Sequence, residues 1–137
     1  MKNQLTVSLN DLKAYKTYNT DSVVITNHLL QKKHTIKNLQ GVLLKDILDK
    51  AEIVSETPKV LSEFYIICIA SDNYKVVFSW NEIFNTQTGG SVYILTGHDG
   101  KEAAATDDRI TLISPNDKAT GRRLVKGLQK IIVEKVK

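Results

Sequence analysis

The residues best suited to chemistry lie in one basic segment of this 137-residue chain, "NDKATGRRLVKG" at positions 116–127. Glycine lets the backbone approach a ligand closely, and the fork-shaped guanidinium of arginine suits a phosphate group. The segment therefore fits an anion-binding loop. It also fits an ordinary solvated loop, because long charged side chains are common in loops. Its cations and glycines are Lys118, Arg122, Arg123, Lys126, Gly121 and Gly127.

Other reactive residue types are few and scattered. The chain has three histidines, His28, His34 and His98. They lack the close spacing and the acidic or cysteine companions of a zinc site, so we expect surface or turn positions for them. Cys68 lies among isoleucines and predicts a buried, unreactive thiol. The neighbouring carboxylates at positions 107 and 108 suit an acid–base role less well than solvation in a polar loop.

Charge and motif content restrict the class of partner. The net charge of +4 and the pI of about 9.1 permit an acidic partner. Aromatic residues make up only 7% of the chain and do not alternate with the cations, so a nucleic acid is not the expected partner. The sequence motifs of common hydrolases, phosphate-binding loops, zinc peptidases and dinucleotide-binding folds do not occur.

Length and hydropathy predict a single soluble domain over residues 1–137. A chain of this size buries enough surface for a core without disulfides, and its single cysteine excludes an intramolecular one. No apolar run approaches the roughly 20 residues that a membrane span requires, and the first residues lack the apolar region of a secretory signal. We therefore expect no membrane span. The protein reads as cytoplasmic, or as periplasmic if a leader has been trimmed.

Hydrophobic patterning predicts an α+β domain with a mixed or antiparallel, curled β-sheet and a few short helices. Apolar residues at 44, 47, 48 and 51 predict the main helix. Phe64–Ala70 predicts a strand that turns at Asp72 and Asn73 and returns through residues 76–78. Ser79 and Glu82 form a capping-box pair that opens a helical turn.

Two further regions carry weaker signals. Leu5–Val7 predicts a short strand before a helical turn capped by Ser8. The continuous apolar run at 23–25 predicts a buried strand, followed by a second, shorter one. Residues 91–97, 109–114 and 128–136 predict the remaining strands.

Several segments together resemble the molybdopterin-binding domain of the sulfite oxidase-like oxidoreductases. In chain order they are "LTVSLNDLKAY", "GVLLKDILDKAEI", "ASDNYKVVFSWNEI", the "DG" at 99–100 and "ITLISPNDKATGRRLVKGLQKIIV". The resemblance spans nearly the whole chain. Its most specific parts are Gly-Val-x-Leu at 41–44, Ser-Asp-x-Tyr at 71–74, and Pro-x-Asp followed by Gly-Arg-Arg-x-Val-Lys.

This resemblance implies a mixed α+β fold of the sulfite oxidase type around a pyranopterin. In that family the dithiolene sulfurs of the pterin hold molybdenum, one protein cysteine is a further ligand, and a protein redox partner exchanges electrons. The cofactor-binding residues implied here are Asn27 and His28 at a strand end, and the cations Lys118, Arg122, Arg123 and Lys126 near the cofactor phosphate.

The chain departs from the family at the ligand cysteine. The matching region, "VVITNHLLQKKHTIKNLQGV", offers Thr26, Asn27 and His28 but no cysteine. Hydroxyl and amide groups are far poorer molybdenum ligands than a thiolate. We therefore expect a molybdopterin-binding, oxidoreductase-like domain with a degenerate active site and without thiolate-ligated molybdenum. The alternatives are a small-anion site or a protein-interaction module on the same scaffold and, less favoured, a nucleic-acid-binding module.

Overall fold

A computed structural model describes residues 2–6, 8–51, 57–102 and 110–137. It confirms the mixed α+β class, since most elements are strands and the helices are short. Among the described residues the helices are α1 (Leu9–Leu12), α2 (Leu44–Lys50) and α3 (Trp80–Phe84), with 3-10 turns at Pro58–Glu63, Gln87–Ser91 and Thr120–Arg123. None of the helices in these ranges is long and apolar enough to cross a membrane.

Twelve strands are present in the described part of the chain. They are β1 (Lys2–Thr6), β2 (Tyr18–Thr20), β3 (Val23–Thr26), β4 (Lys32–Ile36), β5 (Leu39–Leu43), β6 (Phe64–Ala70), β7 (Lys75–Ser79), β8 (Tyr93–His98), β9 (Lys101–Glu102), β10 (Thr111–Ile113), β11 (Val125–Lys126) and β12 (Leu128–Lys135).

These strands form three sheets instead of the single curled sheet that the sequence predicted. One has the order β1-β12-β6-β7, and another the order β11-β10-β8-β5-β2 with β9 beside β8. The third is the two-stranded pair of β3 and β4. Every pairing between described strands is antiparallel.

The strongest local predictions are confirmed. Helix α2 buries Leu44, Ile47 and Leu48, as its spacing predicted. Strands β6 and β7 form the expected hairpin. At the start of α3 the Glu82 amide donates to Ser79 Oγ at 3.0 Å, and the Ser79 amide donates to Glu82 Oε1 at 3.3 Å. The predicted capping box is therefore present.

The prediction of a buried strand at residues 23–25 is wrong. In β3 only Ile25 is buried, whereas Val24 is 43% exposed. The reason is that β3 pairs only with β4, so the pair packs one face on the domain and leaves the other to solvent. Strand β4 is also longer than β3, contrary to the expectation.

The core has two parts. The larger cluster joins α2 to the β6 and β12 sheet through side chains such as Leu44, Ile66 and Ile131. The smaller cluster lies beneath the β3–β4 hairpin and contains Ile25, Ile36, Leu39, Leu95, Ile113 and Leu124. This smaller cluster fixes the hairpin beside β11 and the basic segment.

Candidate functional site

The end of β3 and the basic segment are joined by reciprocal hydrogen bonds. The Thr26 amide donates to Thr120 Oγ1 at 2.9 Å, and the Thr120 amide donates to Thr26 Oγ1 at 3.1 Å. Thr26 Oγ1 also donates to the Lys118 carbonyl at 3.1 Å, and Thr120 Oγ1 donates to the Val24 carbonyl at 2.7 Å. Two segments far apart in sequence therefore form one rigid unit.

A concave site lies between these segments, which we call the basic hollow. Its volume is about 520 Å³, within the range of small-molecule sites. The structure brings Asn27, His28, Arg122 and Lys126, four of the six residues singled out from the sequence, to this one place. The complete lining consists of Ile25, Thr26, Asn27, His28, Lys33, His34, Gly121, Arg122, Leu124 and Lys126.

The other two predicted residues, Lys118 and Arg123, line a neighbouring hollow of about 470 Å³. Leu30, His28 and Arg122 also line it. The side chains of Lys118 and Arg122 are exposed, and neither has a hydrogen-bond or ion-pair partner among the described residues. Both cations are therefore available to an anion.

Arg123 has a different role from its neighbour. Its guanidinium donates to both carboxylate oxygens of Asp117, at 2.6 and 2.8 Å, and to Glu82 at 2.8 Å. It also donates to the Val77 carbonyl and stacks 4.2 Å from the centre of the Phe78 ring. The hydrogen bonds to Asp117 and then to Glu82 raise the pKa of Arg123 above its ordinary value. Its charge is balanced by carboxylates, so we assign it to the fold and not to a ligand.

Asn27 builds the turn between β3 and β4. Its Oδ1 accepts from the amides of Leu29 and Gln31 at 2.9 and 3.0 Å, while its Nδ2 donates to Gln31 Oε1. The side chain that the sequence placed in a binding site is thus committed to the turn. Asparagine after an apolar strand is a recognised turn signal, and it was available in the sequence.

Sequence reasoning missed Lys33 and His34 as lining residues. Both lie on β4, whose pairing with β3 sets Ile25 opposite His34. The strand register could not be read from the sequence, so the sequence could not show which residues of β4 line the hollow. The third histidine, His98, lies on β8, where its Nδ1 is 2.8 Å from Asp99 and its hydrogen bond lowers the pKa of that carboxyl. The carboxylates at 107 and 108 are outside the described residues.

The residues present fit a phosphate group but not thiolate-bound molybdenum. The lining of the basic hollow contains two lysines, one arginine and two histidines and no cysteine. Within the described ranges, no cluster of three or more histidine, cysteine or acidic residues is arranged to hold a metal ion. Cys68 lies in β6 with no exposed surface, and burial raises the pKa of its thiol to about 12.

The buried state of Cys68 leads to a reactivity prediction. We expect the native protein to react with Ellman's reagent at pH 8 at least 100-fold more slowly than the unfolded chain, because the thiol is both inaccessible and protonated. Absorbance of the released thiolate would be followed with and without denaturant. Since Cys68 is the only cysteine, all signal comes from it, and equal rates in both conditions would contradict its burial.

Comparison with known proteins assigns no family. No protein-family model matches the chain, and no curated protein is significantly similar to it. Its function is therefore inferred from the hollow and from the motifs described above.

Proposed function

We propose that the basic hollow binds a small phosphate-bearing ligand, and that this ligand is a pterin of the molybdopterin type without thiolate-ligated molybdenum. The main support for this proposal is that Arg122, Lys126 and Lys33 line one concavity. The lining of this concavity contains no acidic side chain. Cations gathered on a concave surface attract phosphate through charge-assisted hydrogen bonds.

Arg122 supplies the main contact in this proposal. Its guanidinium is exposed and has no partner among the described residues, so binding a phosphate breaks no existing ion pair. Its backbone is held, because the Tyr74 hydroxyl donates to the Arg122 carbonyl. A backbone that is already fixed lowers the entropy cost of binding.

The floor of the hollow suits a flat ring. Ile25 and Leu124 line it and are buried at 3% and 9% exposure. An apolar floor beneath a polar rim is the usual composition of small-molecule sites. His28 and His34 on the rim offer ring nitrogens to the polar edge of a pterin.

The activity proposed for this site is binding. Molybdenum, when bound to a pterin, supplies oxygen-atom transfer, but the lining of the hollow has no thiol to complete its ligands. The residues of this chain would hold the phosphate, seat the ring and exclude water from its apolar face. Because the hollow lacks this thiol, delivery or storage of the pterin fits the arrangement better than turnover.

Pterin retention by an arginine variant tests this proposal. The protein would be produced in a host that makes molybdopterin, and the bound pterin would be released, oxidised and measured by fluorescence. We expect Arg122→Ala to weaken pterin binding about tenfold and so to lower the amount of pterin retained, because one charge-assisted bond contributes about 1.5 kcal/mol or more. Lys59→Ala, which removes an exposed lysine outside the hollow, should retain the wild-type amount.

The metal content of the same samples separates the alternatives. Elemental analysis should give molybdenum far below the pterin content. Stoichiometric molybdenum would contradict the metal-free assignment. Absence of pterin, together with tight binding of inorganic pyrophosphate, would keep the anion site and reject the pterin. Absence of both would reject the proposed function.

A further inference from the structure

The face around the basic segment includes the turn between β3 and β4, which exposes two adjacent large apolar side chains. Among the described residues six large apolar side chains are exposed, and two of them, Leu29 and Leu30, belong to this turn. Exposed apolar patches on soluble domains mark interaction sites.

The turn holds two adjacent leucines away from the core. Leu29 is 64% exposed and Leu30 is 59% exposed. Leu30 adopts a left-handed conformation with φ of 63°, which is unfavourable for a branched, bulky residue. The Asn27 side chain fixes this geometry through the Leu29 and Gln31 amides. Glycine or asparagine would adopt this conformation with less strain. The leucine at this position is therefore better explained by a contact with another molecule than by the needs of the turn.

The two segments that form this face are rich in cations. Residues 27–34 and 114–126 contain six of the 19 lysines and arginines but only one of the 15 acidic residues. That acidic residue, Asp117, is already bound to Arg123. Leu30 lines the same hollow as Lys118 and Arg122. The exposed apolar tip and the positive charge therefore belong to one surface.

We infer that this surface docks on an anionic lipid bilayer, with Leu29 and Leu30 in the interfacial region and the exposed Lys118 and Lys32, which do not line the basic hollow, against headgroup phosphates. A weak apolar anchor with a basic patch is the combination that gives reversible membrane attachment, since either alone is marginal. The tip is aliphatic, whereas a nucleic-acid surface would use stacking aromatics. Its charge complements acidic headgroups.

This inference does not depend on the proposed function. Leu29 and Leu30 do not line the basic hollow. A leucine variant therefore tests membrane docking while leaving the pterin or phosphate contacts in place. Conversely, a negative result in the pterin-binding experiment would not argue against membrane docking.

Sedimentation with lipid vesicles tests docking. We expect the protein to pellet with vesicles containing about 30% phosphatidylserine and not with pure phosphatidylcholine, and to be released as salt rises from about 0.1 M to about 0.5 M. The double substitution Leu29→Ser and Leu30→Ser should weaken binding at least tenfold. Val136→Ser, which removes an exposed apolar side chain outside this face, should bind like the wild type.

The outcomes separate docking from general adsorption. Circular dichroism would verify that the serine variant is folded, and its retained pterin or pyrophosphate binding would show an intact hollow. Wild-type affinity in the folded serine variant would overturn the inference, because charge alone would then explain the binding. Binding to soluble poly-glutamate with no binding to vesicles would also overturn it, in favour of an acidic protein partner.

Discussion

Replacement of Arg123 by alanine is expected to lower the free energy of unfolding by about 3 kcal/mol, because breaking a largely buried ion pair leaves its partners without compensation. The Arg123 side chain is 22% exposed, and its guanidinium binds Asp117 and Glu82 together. Asp117 is itself only 14% exposed, so its carboxylate would be left poorly solvated. The loss would also release Phe78 from the stacked guanidinium.

Arg122 provides a matched control for this measurement. It is the adjacent residue, of the same type, but exposed and without a partner among the described residues. Urea unfolding should therefore change by no more than about 0.5 kcal/mol for Arg122→Ala. Arg123→Lys should fall between the two, because an ammonium cannot reproduce the bidentate contact with Asp117. Equal stability of the two alanine variants would contradict the division of roles between these arginines.

Replacement of Gly121 by alanine is expected to destabilise the protein by about 2 to 3 kcal/mol, because a methyl group overfills a closely packed contact. A Cβ at this position would lie 2.5 Å from the Thr26 carbonyl oxygen and 3.5 Å from the Ile25 side chain. The basic segment must then move away from β3. That movement would stretch the reciprocal bonds between Thr26 and Thr120, so ligand affinity should fall as well.

The control for this substitution is Gly90→Ala. A Cβ at Gly90 would meet no atom within 4 Å. Thermal unfolding of the two variants, together with pterin or pyrophosphate binding, would measure the difference. A Gly121→Ala protein with wild-type stability and affinity would show that the segment is not packed against β3 as described.

The elements that depend on short-range sequence patterns were predicted correctly from the sequence. The α2 helix has an apolar face at helical spacing, and the β6–β7 hairpin has a turn between alternating strands. The capping box of α3 needs only the four residues from Ser79 to Glu82. In each case the physical cause lies within a few residues, so the pattern is readable without knowledge of the rest of the fold.

Features that depend on contacts between residues far apart in the sequence were not predicted. The run at Val23–Ile25 is apolar enough for a buried strand, but its exposure depends on pairing with β4 alone. Likewise, Arg122 and Arg123 are equivalent in the sequence. They differ because Asp117, Glu82 and Phe78 converge on one and not on the other. Such differences depend on tertiary packing.

The family resemblance assigned residues of the basic segment and of the end of β3 to one site, but the bonds that join these two segments were not predicted. Asn27, His28, Arg122 and Lys126 line one hollow. The threonines at 26 and 120 carried no signal in the sequence, since a hydroxyl pair across 94 residues has no periodicity. Their role became visible only in the folded chain.

The reciprocal threonine pair acts as a noncovalent cross-link between the early and late parts of the chain. Any molecule seated across it contacts both parts at once and cannot be retained by a chain in which either has detached. Occupancy would therefore couple to the folding equilibrium of the whole domain, with each tenfold excess of ligand over its dissociation constant adding about 1.4 kcal/mol to native-state stability. The amount of bound ligand would therefore depend directly on the fraction of the protein that is folded.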